Sequence, residues 1–144
     1  MTKYIPRGVR NNNPLNIRIG NSWKGEVAVN TDGQFEQFVS MDFGIRAAVL
    51  LLHKYQAKYR RNTISEIISA WAPSSENATN LYINIVSKRT GIDKDKRINL
   101  KNLPTLEKLL AAMIEVETGT KIGEFVTTDD ITSGILLAYP GIAG

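Results

Sequence analysis

Between Asp42 and Tyr59 the chain runs through Ala47-Ala48-Val49-Leu50-Leu51-Leu52, and on a helical wheel this segment is apolar on nearly every side. A helix of that kind has no face to offer water, so the rest of the chain must wrap around it. Asp42 is the expected N-cap. The purely apolar run is far too short to span a bilayer, so protein and not lipid must cover it. With 144 residues the chain suits a single domain with one real core, and 42% apolar with 22% charged residues is ordinary for a soluble globular protein.

The wrapping comes from four further segments. Thr63 followed by Glu66 forms a capping box for a shorter helix that Pro73 ends. A second helix is expected from near Asn77 to Gly91, with Ala78, Leu81, Tyr82, Ile85 and Val86 on one face. Pro104 suits the first turn of a helix through Leu106 that Gly119 closes, and a last helix covers about 129–138. The first forty residues read differently, because Asn and Gly punctuate them. NIRIG, EVAV and QFEQF alternate as short strands do, with TDG between the last two as a hairpin turn. The expected class is α+β: one domain over 1–144, with a small N-terminal β hairpin in an Asn-rich arm and lobe over 1–40 and a helical part over 42–138.

Several function classes drop out on composition. Without cysteine there is no thiolate metal site, nucleophile or disulfide. His53, the only histidine, is read on the polar side of the central helix with Arg46, which leaves a zinc site or a Ser/His nucleophile nothing to rest on. No metal and no cofactor is expected. The opening MTKYIPRGVRNNNP lacks the apolar stretch of a signal peptide. Net charge is +4 and uneven: Met1 to Arg61 holds ten Lys/Arg against four Asp/Glu, and the remainder eight against ten. A basic half suits an anionic polymer, either nucleic acid or a bacterial envelope, or is simply a solvated face.

The helix through Leu106 ends in two glutamates with different prospects. Leu106, Leu109, Leu110, Met113 and Val116 share one side of the wheel, and Glu117 falls inside their arc while Glu115 falls opposite, near Lys108. A carboxyl held against apolar side chains has its charged form disfavoured, which is what a general acid needs near neutral pH. The plainer reading is a carboxylate that swings to water past Gly119.

Glu117-Thr118-Gly119, closing an apolar helix, is similar to the glutamate-serine-glycine signature of lysozyme-superfamily enzymes. Asn13-Pro14-Leu15-Asn16-Ile17-Arg18, then Trp23 and Gly25, Phe35 to Phe38 and Gly44-Ile45-Arg46 resemble successive segments of flagellar-type glucosaminidases. Ala78-Thr79-Asn80-Leu81-Tyr82 resembles a further motif of those enzymes. The order differs, with the acid helix near the end, and a circular permutation of a lysozyme-like domain is the simplest repair. From Arg7 to Ala138 the chain also resembles a family of small phage and prophage virion proteins, on RGVRNNNPLNIR, Trp71-Ala72-Pro73 and Glu76-Asn77-Ala78-Thr79.

These resemblances imply an enzyme that cuts the glycan strands of peptidoglycan, as a muramidase or a lytic transglycosylase, with Glu117 as the acid. Its location would be the virion, or the periplasm and cell wall after release. Asp32 is the leading second carboxylate and Glu26 the next, although a TDG turn wants Asp for its own geometry. Tyr82 is expected to line the cleft and stabilise the charged transition state, or else simply to pack. Asn16 is expected to bind an acetamido group or else to fix its turn. Asn77, Thr79 and Glu76 are expected to contact substrate, Glu76 being the rival acid or else only favouring the positive end of its helix. The expected partners are peptidoglycan strands and other virion proteins, with no membrane and no nucleic acid. The competing class is a non-catalytic virion component that binds nucleic acid, glycan or a neighbouring subunit. Lys54, Lys58, Arg60 and Arg61 cluster at one helix end for such a role, without any recognisable nucleic-acid reading motif.

Overall fold

A computed structural model of the protein describes residues 4–142. Six helices follow in order: α1 (Arg7–Arg10), α2 (Met41–Ala57), α3 (Ile64–Trp71), α4 (Glu76–Thr90), α5 (Leu103–Thr118) and α6 (Thr128–Ala138). Their boundaries have local causes. The Thr63 hydroxyl accepts the Glu66 N–H, Ser75 that of Ala78, and Asn102 that of Thr105. At α6, Thr127 and Asp130 form a reciprocal capping box. Both α4 and α5 end on a glycine in the left-handed region, Gly91 and Gly119, each with φ 71°.

The helix through Leu50 lies where its composition requires. Ile45, Ala47, Ala48, Val49 and Leu52 of α2 are fully buried, and α6 packs along α2. A second buried helix, α5, contributes Leu106, Leu109, Leu110, Met113 and Ile114, and α4 and α1 pack on it. Its inward face is turned toward Ile114, leaving Val116 only half-buried. On α4 the inward residues are Tyr82, Ile83 and Val86, whereas Leu81, expected inside, is 62% exposed. His53, expected on a polar face, is buried, with Nε2 2.7 Å from the Leu100 carbonyl and its ring against Tyr139.

The α+β assignment is corrected. Among the described residues no sheet forms, and the expected N-terminal β hairpin is reduced to two isolated bridges, Arg18 with Phe35 and Glu26 with Phe38. The physical reason is that asparagine side chains take over the backbone groups a second strand would have met. Asn13, wholly buried, donates to the Ile17 and Glu36 carbonyls and accepts the Ile17 N–H; Asn12 donates to the Phe38 carbonyl. Asn12 and Asn16 also adopt positive φ, 51° and 53°, which interrupts extended backbone. The alternation in QFEQF therefore marks which side chains face inward, Glu36 and Phe38 among them, without a ladder.

This arm docks on α2 at Gly44. A Cβ there would lie 1.8 Å from the Asn12 carbonyl oxygen, so only glycine permits the approach.

Candidate functional site

The Asn-rich arm and the end of α5 meet at Glu117. Because Gly119 closes α5 in the left-handed region, Glu117 occupies the last turn, where its carboxyl leaves the buried helix at the edge of the core. Thr118 turns its hydroxyl back to the Ile114 carbonyl at 2.8 Å and does not compete for the same space.

Both carboxyl oxygens of Glu117 are held. Asn16 Nδ2 donates to Oε1 at 3.0 Å, and the Tyr82 hydroxyl donates to Oε2 at 3.0 Å. Burial pushes the Glu117 pKa up, and the two donors, which favour the charged form, offset only part of that rise. Burial, aided by the neighbouring Glu117 charge, pushes the Tyr82 hydroxyl well above the ordinary phenol range, so it stays protonated as a donor. Glu115, two residues away, projects on the other side: it pairs with Arg89 at 2.6 Å and accepts the Ile122 N–H at 2.8 Å.

Glu117 opens on a cleft of about 380 Å³ lined by Leu15, Asn16 and Arg18 of the arm, Phe35, Trp71 at the end of α3, and Ala72 to Ser74 after it. It is the only carboxylate in that lining. Trp71 packs edge-on against Tyr55, which leaves part of its ring as a wall of the cleft. The cleft is neither the largest nor the most apolar hollow on the molecule. One beside His53 and Tyr139 measures about 430 Å³, but His53 Nδ1, its buried polar atom, has no partner and is closed to solvent. The Glu117 cleft joins an opening to a carboxyl held on both oxygens.

The remaining candidates are distributed unevenly. Asp32 is away from the cleft lining, locked by a bidentate ion pair with Arg7 (2.6 and 2.7 Å) and by Asn11 at 3.0 Å. These bonds and the N–H groups of Gln34 and Phe35 hold its carboxyl well below the usual carboxylate range. Glu26 accepts the Trp23 N–H and faces Glu36. Glu36 went unnoticed in the sequence although it is 4% exposed with one buried oxygen unpartnered. Its place on the inward phase of the QFEQF alternation was the available signal. Glu76 and Asn77 lie exposed in the first turn of α4, outside the cleft lining. Thr79 donates its hydroxyl to the Ala72 carbonyl at 2.8 Å and so braces the cleft wall.

No protein-family model matches the chain. Over 139 residues it is 39% identical to protein P5 of Pseudoalteromonas phage PM2, a match that spans 94% of this chain and 83% of that protein. At that identity and coverage the chain belongs to the same protein family as protein P5 of this phage.

Proposed function

We propose that the protein is a phage enzyme that cleaves the glycan strand of bacterial peptidoglycan, with Glu117 as its general acid. The single observation that carries this reading is the Glu117 carboxyl: raised by burial, gripped by Asn16 and Tyr82, and lining an open cleft of about 380 Å³. Protonated, Glu117 gives its proton to the glycosidic oxygen as the bond to the anomeric carbon breaks. The carboxylate left behind is stabilised by the same amide and hydroxyl donors.

With no second carboxylate in the cleft lining, the substrate's own 6-hydroxyl is the better nucleophile than an activated water. It bonds to the anomeric carbon and returns its proton to Glu117, leaving a 1,6-anhydro end and a regenerated acid. Virion location, or release into the cell wall during entry or exit, belongs to the same proposal.

Digestion of purified peptidoglycan by wild type and by Glu117→Gln, with the sugar ends identified by mass spectrometry, tests it. Anhydro ends that vanish in the variant are expected; reducing ends would identify a hydrolase instead. A folded wild type that cuts nothing would overturn the enzymatic reading.

A second reading is a non-catalytic particle component, and kinship with a phage protein supports it more directly than it supports any chemistry. It predicts retention on glycan without turnover, or salt-dependent retention on DNA through the basic N-terminal half.

A further inference from the structure

Two arginines lie over the Phe35 ring, with Arg7 Cζ 4.7 Å and Arg18 Cζ 4.9 Å from its centroid. Their circumstances differ. Arg7 is neutralised by Asp32, which takes it in a bidentate grip, and is further bonded to Gln34. Arg18 is exposed, makes no side-chain hydrogen bond or ion pair among the described residues, and lines the Glu117 cleft. The rim thus presents one uncompensated guanidinium whose position is steadied by an aromatic face, while its N–H groups remain available to a ligand. Phe35 is itself fixed, since its N–H donates to Asp32 and its neighbour Glu36 donates to the Ile17 carbonyl.

We propose that Arg18 on Phe35 is a carboxylate-binding subsite at the rim of the Glu117 cleft, which selects acidic glycan strands over neutral polymers of N-acetylglucosamine. This rests on the glycan-cleaving reading for its substrate and names what that substrate must carry. A guanidinium meets a carboxylate through paired N–H donors, a match that neutral sugar hydroxyls do not offer. Peptidoglycan supplies carboxylates from two sources, the lactyl group of muramic acid once its peptide is removed, and the stem peptides themselves. A single cation beside an apolar wall suits a lone carboxylate better than the regularly spaced phosphates of nucleic acid, which call for a track of cations. Asp32 then acts as a positioning residue: by holding Arg7 against Phe35 it keeps the platform for Arg18 in place.

The test is binding to insoluble polymers in the Glu117→Gln background, where turnover does not interfere. Intact peptidoglycan, peptidoglycan stripped of stem peptides by an amidase, and chitin are compared. Adding Arg18→Gln should weaken retention on peptidoglycan about tenfold and leave chitin unchanged, with Arg18→Lys recovering part of the loss. Dependence restricted to intact strands assigns the stem-peptide carboxylates, and dependence on stripped strands assigns the lactyl group. No change with Arg18→Gln, an equal loss on chitin, an Arg18-dependent retention on DNA in place of peptidoglycan, or no binding to any polymer would each overturn the proposal. The two readings separate cleanly: Arg18-dependent binding with an inactive wild type keeps the subsite and removes the enzyme, whereas active wild type indifferent to Arg18 does the reverse.

Discussion

The stretch before α2 relies on a directional polar network in addition to apolar burial, whereas the helices after it rest on apolar burial. In the helical part Ile64, Ile67, Ile68, Leu106, Leu109 and Leu110 are all fully buried, and their contribution is non-directional burial of apolar area. The arm adds Leu15, Ile17 and Phe38 to that core, but it also buries Asn13 completely, and the segment is pinned by side-chain amides bonded to particular carbonyls. An apolar core tolerates changes of shape that keep volume, whereas a polar network fails when one partner is removed. Glu117 lies on the seam, taking its helix from one region and Asn16 from the other.

The comparison can be broken most forcefully from the helical side. Leu109→Ala should cost about 2–5 kcal/mol and lower the midpoint of thermal unfolding, followed by circular dichroism, for the whole molecule. Asn13→Ala should strand the Glu36 carbonyl and the Ile17 N–H, while the Ile17 carbonyl keeps the Glu36 N–H, at about 1–3 kcal/mol for a buried group left unmade. Its effect should be local: amide hydrogen exchange should rise across residues 8–38 while α2 and α5 stay protected, and cleavage should fall with the loss of Asn16 from Glu117. Global unfolding as severe as that of Leu109→Ala would show that the two regions are one cooperative unit.

Glu36 sharpens the contrast through pH. Its carboxyl is pushed up to about 7 by burial and by the facing Glu26. The folded chain therefore keeps a proton that the unfolded chain releases near the ordinary value of 4.5. That contribution to stability is fully present below about pH 4.5 and is lost as pH rises to about 7. Glu36→Gln should match wild type in melting temperature in acid and exceed it at pH 8; identical profiles for the two proteins would remove the carboxyl pair from the account. The smallest effect belongs to Glu115→Gln. Its ion pair with the half-exposed Arg89 is worth about 0–1 kcal/mol, and cleavage should be unchanged. Equal loss of cleavage in Glu115→Gln and Glu117→Gln would sink the two-face description of α5.

The helices from α3 to α5 were legible because residues whose chemistry acts locally punctuate them: Thr63 before Glu66, Pro104, Gly91 and Gly119 all stand at the observed ends. By contrast, α1 inside the Asn-rich arm was not foreseen, and α2 is capped at Ser40, not at Asp42. The wheel on α5 likewise separates Glu117 from Glu115 without knowledge of any neighbour. Pairing across the chain was not legible. Period-two alternation reports which side chains point inward, and it cannot report that asparagine amides would replace a neighbouring strand. Asp32 follows the same logic, since a turn residue and a lone carboxylate look alike until Arg7, 25 residues earlier, is found beside it. His53 and Glu36 were misjudged or missed because a polar residue in a buried position contradicts its own type.

The bond from Asn16 to Glu117 spans 101 residues of chain. On the ribosome, Asn16 is made first and waits for its carboxylate for roughly 5–20 s at ordinary elongation rates. Until α5 has emerged and packed, the Glu117 carboxyl has neither its amide partner nor the burial that raises its pKa, so the proton-donor role proposed for it belongs to the finished chain alone.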